Sequence, residues 1–169
     1  MKLMVIGGGG REHAIIKKLK ENPAVEKIYC LPGNGGIAAD AVCVPEIGAK
    51  DIPAQVDFAK VHRIDYAVVA PDDPLALGAV DALSAAGIPC FGPDKKAAVI
   101  EASKAFAKDL MQKYGIPTAK YETFDDPAKV MDYIRSKGKY PVVIKADGLA
   151  LGKGVLICQN EQEAADGVK

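Results

Sequence analysis

The sequence predicts an α/β fold in which a parallel sheet is built first and a second, smaller α/β unit follows. Three observations carry this. Short apolar runs at Leu3 to Ile6, Lys27 to Leu31, Ala41 to Val44, Tyr66 to Ala70 and Ile88 to Phe91 alternate with helical patterns at Arg11 to Glu21, Ile52 to Arg63 and Leu75 to Ala86. The run Tyr66-Ala67-Val68-Val69-Ala70 is apolar almost throughout, as suits a strand covered by helices on both faces. The first run also opens through glycine directly onto a helical pattern, the order of a Rossmann-like βα unit. With 169 residues there is room for one full domain and the beginning of another, divided as 1–100 and 101–169.

The first element is the strand Leu3-Met4-Val5-Ile6, followed by Gly7-Gly8-Gly9-Gly10-Arg11-Glu12-His13. Four successive glycines carry no Cβ, so a ligand can approach the main chain closely there. Ala14, Ile15, Ile16 and Leu19 then give an apolar stripe, and Lys17, Lys18, Lys20 and Glu21 a wet face. A glycine turn leading into a helix N-terminus suits an anion. A dinucleotide fingerprint fails, because the third glycine position holds Glu12 in one register and His13 in the other. The second strand leads into Pro32-Gly33-Asn34-Gly35-Gly36, where a ribose-binding acid would stand in a nicotinamide site.

The fourth strand ends at Pro71-Asp72-Asp73-Pro74-Leu75. Three loops thus follow strand ends, the place where open α/β sheets bind ligands. Main-chain amides of the first two suit a phosphate, with Arg11 adding a charge-assisted contact. Asn34 or Asp72 suits ribose hydroxyls, so the set fits a sugar phosphate. The plainer reading makes them tight turns, with Asp72 capping the third helix and Pro74 in its first position. Gly87 suits the end of that helix.

After Gly92-Pro93-Asp94 come helical patterns at Lys95 to Ala102 and Lys104 to Tyr114, then a strand-like Lys120 to Phe124. Asp126 and Pro127 form a cap and first-position pair for a helix ended by Gly138. Tyr140 to Lys145 and Val155 to Gln159 are strands flanking a glycine-rich loop, Asp147 to Gly154, and Asn160 with Glu163 opens one more helix. The loop is not a Walker motif, having three residues rather than four before Gly-Lys and glycine after the lysine. Lying between strands, with no helix N-terminus aimed at a phosphate, it would have to fold over its ligand as a cover. Lys145, ending an apolar strand, is expected to be half-buried and to want an anionic partner; the plain alternative is a lysine in water.

Charge and cysteines narrow the classes. With 22 basic and 22 acidic residues the net charge is zero, so nothing points to nucleic acid or an anionic membrane. No apolar run reaches the roughly 20 residues that span a bilayer, and a cytoplasmic protein is expected. Cys30, Cys43, Cys90 and Cys158 are widely spaced and read as core thiols of a reducing compartment. His13 and His62 lack companions at ligand spacing, so no metal site is assigned.

Taken together, Val5 to His13, Pro32-Gly33-Asn34, Phe91-Gly92-Pro93, Ser103 to Lys108, Tyr114 to Ala119, Val143 to Ala150 and Gly152-Lys153-Gly154 resemble the N-terminal part of the phosphoribosylamine-glycine ligases, or glycinamide ribonucleotide synthetases, of the ATP-grasp superfamily. The resemblance runs from end to end of the chain. It implies a Rossmann-like N-terminal domain followed by the start of an ATP-grasp domain. It further implies ATP-driven ligation of phosphoribosylamine and glycine in purine synthesis, through an acyl phosphate of glycine. By that resemblance the phosphoribosylamine site draws on Gly9, Gly10, Arg11, Glu12, Gly33, Asn34, Asp72, Pro74 and Leu75. ATP phosphates meet Lys104, Lys145, Gly148, Gly152, Lys153 and Gly154. Where the family usually has Gly-Pro-Glu, this chain has Ala70-Pro71-Asp72, a shorter carboxylate.

The family is considerably longer, so the chain is expected to be an incomplete piece, inactive alone, with magnesium ligands beyond residue 169. The expected partners are small-molecule substrates, with a monomer favoured. A stand-alone sugar-phosphate or nucleotide binding module is the main alternative, and another ATP-grasp carboxylate ligase, such as a biotin-dependent carboxylase, is a third. Gly9 to His13 with Pro32 to Asn34 favours the first reading over the third, and an amphipathic segment cut short favours it over the second.

Overall fold

The computed structural model of the protein describes residues 1–150 and 154–168, and the chain divides into two compact units, Met1–Ala102 and Ser103–Lys169. In the first, β1 (Lys2–Gly7), β2 (Lys27–Pro32), β3 (Val42–Cys43), β4 (Tyr66–Val69) and β5 (Cys90–Phe91) form one sheet in the order β3-β2-β1-β4-β5. Every pairing is parallel, with β1 aligned from Lys2 opposite Lys27 to Gly7 opposite Pro32 on one side, and from Leu3 opposite Tyr66 to Ile6 opposite Val69 on the other. This is the α/β, Rossmann-like sheet that the alternation predicts.

Strand periodicity sorts β1 between two cores. Met4 and Ile6 pack with Tyr29, Leu31, Ala67, Val69 and Leu83, on the side covered by α2 (Ile52–His62), α3 (Asp72–Leu77), α4 (Ala79–Ala85) and α5 (Lys95–Ala102). Leu3 and Val5 pack with Ile28, Cys30, Val68 and Ile16 of α1 (Gly10–Lys20). Both faces of β1 are therefore covered, and Met4, Val5 and Ile6 are fully buried.

Helix ends follow local chemistry. The Asp51 carboxylate accepts from the Ala54 amide at 3.2 Å to open α2, which Arg63 closes at φ 52°. The single helix expected over Leu75 to Ala86 is two. Gly78, at φ +93°, ends α3 and begins α4, a left-handed conformation that breaks the hydrogen-bond ladder. Asp72 is the first residue of α3 rather than its cap, Pro71 holds the cap position, and Pro74 is third.

The second unit contains α6 (Lys104–Lys113), α7 (Pro127–Lys137), β6 (Val142–Lys145), β7 (Val155–Cys158) and α8 (Glu161–Gly167). Strands β6 and β7 are antiparallel, Val142 facing Cys158 and Lys145 facing Val155. Cys158 packs with Met131 and Ile134 of α7 and Ala164 of α8, with Val142 and Ile144 against them. The opposite face of the strands carries Val143, Val155 and Ile157, which are exposed. Asp126 accepts from the Ala128 amide at 2.8 Å to open α7, and Gly138 closes it in a left-handed conformation, as the sequence predicts.

The strand expected over Lys120 to Phe124 does not form. Its flank is held by side chains instead. Lys108 Nζ donates to Thr118 Oγ1 at 2.6 Å and to the Ala119 carbonyl at 3.1 Å, and the Tyr121 hydroxyl donates to Asp109 Oδ1 at 2.7 Å. Among the described residues no strand pairs with this stretch, and β-propensity without a neighbouring strand does not make a ladder.

Candidate functional site

Strand order makes β1 the point where the sheet changes direction, with β2 leaving on one side and β4 on the other. The crevice beyond the C-terminal ends of β1 and β4 is where such sheets bind ligands. Gly7 ends β1 there at φ +125°. A Cβ on it would stand 2.7 Å from Glu12 Cγ and 2.8 Å from Pro71 Cγ, so glycine is required by both conformation and space.

The two glycine loops interlock. The Gly33 amide donates to the Gly7 carbonyl at 3.1 Å, and Asn34 Nδ2 donates to the Gly8 carbonyl at 2.7 Å. A Cβ at Gly8 would lie 2.7 Å from the Gly33 carbonyl oxygen, so main chain lies on main chain. Asn34 Oδ1 accepts from the Ile37 amide at 2.9 Å. Asn34, read from the sequence as a ribose contact, is thus already engaged at both ends of its side chain and acts as the rivet between the loops.

At the start of α1, Glu12 turns back so that Oε2 accepts from the Gly9 amide at 2.6 Å, the return half of a capping box. Glu12 is only 3% exposed, and its Oε1 is buried with no partner among the described residues. The Gly9 amide is therefore not open to an anion as a bare glycine turn would leave it. The first-turn amides of Gly10, Arg11 and Glu12 lack intrahelical partners, and Gly10 has nothing within 4 Å of a built Cβ. Arg11 is exposed.

The third loop differs from its sequence reading. Pro74 and Leu75 are buried, Leu75 in the core and on the wall of the cleft that Asp72 lines, so neither side chain offers a ligand a polar contact. Asp72 is half-buried, its Oδ1 accepting from the Asp73 amide at 3.1 Å, and it lines a cleft of about 200 Å³ with Pro93, Ala97 and Glu101. Asp73 pairs with Lys50 Nζ at 2.7 Å.

Two thiols brace the loops from beneath. Cys30 Sγ donates to the Gly7 carbonyl at 3.2 Å and Cys43 Sγ to the Asn34 carbonyl at 3.4 Å. Burial first, then the neighbouring Cys43 and Glu12, pushes the Cys30 thiol up to about 12, so it is a packed hydrogen-bond donor and not a nucleophile.

In the second unit the predicted lysines stand apart in character. Lys104 is half-buried at the N-terminus of α6, and its Nζ donates to the Gly148 carbonyl at 2.6 Å. Lys145 is exposed, against the half-buried position expected, because β6 alternates and Lys145 shares the open face with Val143. It lines a cleft of about 460 Å³ with Phe124, Asp126, Val130, Ile144 and Gly154. The Ala146 amide donates to the Gly154 carbonyl at 2.9 Å, closing the base of the loop between β6 and β7. Gly152 and Lys153 lie outside the described residues.

Asp147 carries a role that no spacing in the sequence reveals. Its carboxylate accepts from Ser103 Oγ at 3.0 Å, from the Lys104 amide at 2.6 Å and from the Ala105 amide at 3.2 Å, across 42 to 44 residues. Desolvation raises its pKa, but the Ala105 amide, the Ser103 hydroxyl and the Gly148 and Lys104 amides outweigh this and hold it below the usual carboxylate value. The start of the loop is thereby tied to the start of α6. Among the described residues no group of three or more His, Cys, Asp and Glu is placed to hold a metal ion, and no helix is long and apolar enough to cross a membrane.

Two models of one family match the chain from end to end: phosphoribosylglycinamide synthetase, N domain, over residues 1–101, and phosphoribosylglycinamide synthetase, ATP-grasp (A) domain, over residues 102–169. The chain belongs to the phosphoribosylglycinamide synthetase family. Both interlocked glycine loops fall in its N-domain match, and Lys104, Lys145 and Asp147 fall in its ATP-grasp match. A phosphoribosylamine-glycine ligase of Vibrio cholerae is 48% identical over all of this chain and 39% of its own length, and one of Listeria monocytogenes is 50% identical over all of this chain and 40% of its own. The crystal structure of the Thermotoga maritima ligase superposes with a TM-score of 0.74 at 33% identity, covering 98% of this chain and 38% of that one. The chain thus spans about two fifths of the length of these relatives.

Proposed function

We propose that the chain supplies the phosphoribosylamine-binding portion, and the first part of the ATP-binding portion, of a ligase that joins phosphoribosylamine to glycine with cleavage of ATP to ADP and phosphate. The observation that carries this reading is the riveting of two glycine-rich loops to each other beside the N-terminus of α1, at the sheet's change of direction. A sugar phosphate suits that surface. The first-turn amides of Gly10, Arg11 and Glu12, which have no intrahelical partners, suit an anion, Arg11 adds a full charge, and no side chain at Gly10 obstructs approach.

In the reaction so assigned, a glycine carboxylate oxygen bonds to the γ-phosphorus of ATP as the bond to ADP breaks. The sugar amine then attacks the acyl carbon of the glycyl phosphate, phosphate leaves, and the amine loses a proton. The work of the protein is positioning and charge neutralisation. Lys104 Nζ, now on the Gly148 carbonyl, can exchange that neutral acceptor for a phosphate oxygen, a charge-assisted and stronger partner. Lys145, exposed and without an ion pair among the described residues, is available to a second phosphate oxygen. Magnesium, the metal expected with ATP, finds no fitting ligand set among the described residues, and no step is assigned to it.

The test replaces the matched segment of the Listeria monocytogenes relative by this chain and measures glycine-dependent ADP formation with phosphoribosylamine. One ADP per glycinamide ribonucleotide is expected. ADP formed at the same rate without phosphoribosylamine would overturn the reading.

A further inference from the structure

Behind the second glycine loop lies a contact that the ligand-facing residues do not explain. Residues 34–40 form one compact turn: the Ala38 amide donates to the Asn34 carbonyl at 3.0 Å, and the Asp40 amide to the Ile37 carbonyl at 2.8 Å. One end of this turn is fixed by Asn34 Nδ2 on the Gly8 carbonyl. The other end is fixed from α1, where His13 Nε2 lies 2.8 Å from Asp40 Oδ2. The His13 ring also lies against the middle of the turn, its Cε1 only 3.4 Å from where a Cβ of Gly36 would be. Both partners are largely shielded, His13 at 27% and Asp40 at 19% side-chain exposure. Lys20 holds the second Asp40 oxygen at 2.9 Å but is 45% exposed and sits at the far end of α1.

We propose that His13 is a positioning residue: by bridging Asp40 and packing on Gly36, it fixes the turn carrying Asn34 and Gly35 against the N-terminus of α1, so that both loops meet one phosphate ester of a pentose. The ligand half of this statement rests on the function proposed above; the latch itself does not. The sequence places the histidine directly after the glycines and Glu12, so helix geometry turns it one step further around α1 than Glu12, toward β2 and the loop after it. Two fixed ends and a supported middle leave the turn a single position, which is what pre-organises main-chain donors for an anion.

The experiment uses the 169-residue chain, with His13→Ala, His13→Gln and Asp40→Ala, and ribose 5-phosphate as probe. Amide hydrogen exchange is read by NMR in the absence of ligand, and the probe is then titrated. His13→Ala is expected to speed exchange at Gly36, Ile37 and Ala38 by about tenfold while leaving β1 and β4 unchanged, and to weaken ribose 5-phosphate by about fivefold. His13→Gln, whose amide nitrogen can reach Asp40, is expected to restore most of both. Asp40→Ala should repeat the alanine result, and it carries the test if His13→Ala does not fold. Unchanged exchange in the turn, or a Gln variant as damaged as the Ala variant, would overturn the latch. Faster exchange in the turn with no ribose 5-phosphate binding even to the unaltered chain would keep the latch and overturn the sugar-phosphate reading.

Discussion

Replacing Gly8 by alanine separates a close approach of main chain from a merely flexible glycine. A Cβ there would sit 2.7 Å from the Gly33 carbonyl oxygen, a backbone atom that cannot rotate away. Carbon and oxygen need about 3.3 Å, so the loops must part by about 0.6 Å. That separation stretches the Asn34 Nδ2 bond to the Gly8 carbonyl from 2.7 Å and the Gly33 amide bond to the Gly7 carbonyl from 3.1 Å. Weakening the first bond, losing most of the second and straining the loops apart costs about 2 kcal/mol together, within the usual range for overpacking. For a unit of Met1–Ala102 this lowers the melting temperature by roughly 8 °C. Gly10→Ala is the control. Nothing lies within 4 Å of its Cβ, and at this first helical position alanine gains at most about 1 kcal/mol over glycine, so its melting temperature should not fall. Circular dichroism melts of the three chains decide it. A Gly8→Ala chain melting within about 2 °C of the parent would refute the interlocking argument.

Other expectations follow from individual contacts. Asp147→Ala removes the carboxylate that receives Ser103 and the first amides of α6, so on the order of 1 kcal/mol is lost from the second unit and exchange quickens at Lys104 and Ala105, both readable by NMR. Lys20 first, then His13, holds the Asp40 carboxyl at about 2, down from 3.8. A depressed acid stabilises the fold above its unfolded value, so this contribution is complete above about pH 4 and is lost as pH falls toward 2; a carboxyl-detected titration with a midpoint near 4 would contradict it. Cys30 should resist iodoacetamide at pH 8 in the folded chain and react only on unfolding, as peptide mass spectrometry will show.

Much of the first unit was legible in the sequence because its signals are local. Alternating buried strands and helices and the glycine turn after Ile6 each lie within a few residues of what they specify, as does the Asp126 cap in the second unit, whereas the Asp51 cap of α2 was not read. The third helix was misread because Gly78 looks like a tolerated helical glycine until its left-handed conformation is seen. Lys120 to Phe124 was misread because propensity is visible in sequence while a pairing partner is not. At the candidate site, the glycine loops follow the strand ends that the sequence marks, but their internal wiring was hidden. Glu12 folding back on Gly9 follows a three-residue spacing and could have been found as half a capping box. Asn34 reaching Gly8, His13 meeting Asp40, and Asp147 capping α6 join residues 26 to 44 apart, and no periodicity records them. Lys145 failed for a simpler reason: strand alternation put it on the open face of β6.

The most direct test of the central claim is a titration of the isotope-labelled chain with ribose 5-phosphate, followed residue by residue. The account predicts that amide signals of Gly8 to Glu12 and Gly33 to Gly36 shift together, with a single affinity, while those of β6 and β7 stay in place. Shifts confined to the second unit, or none at either glycine loop, would contradict it.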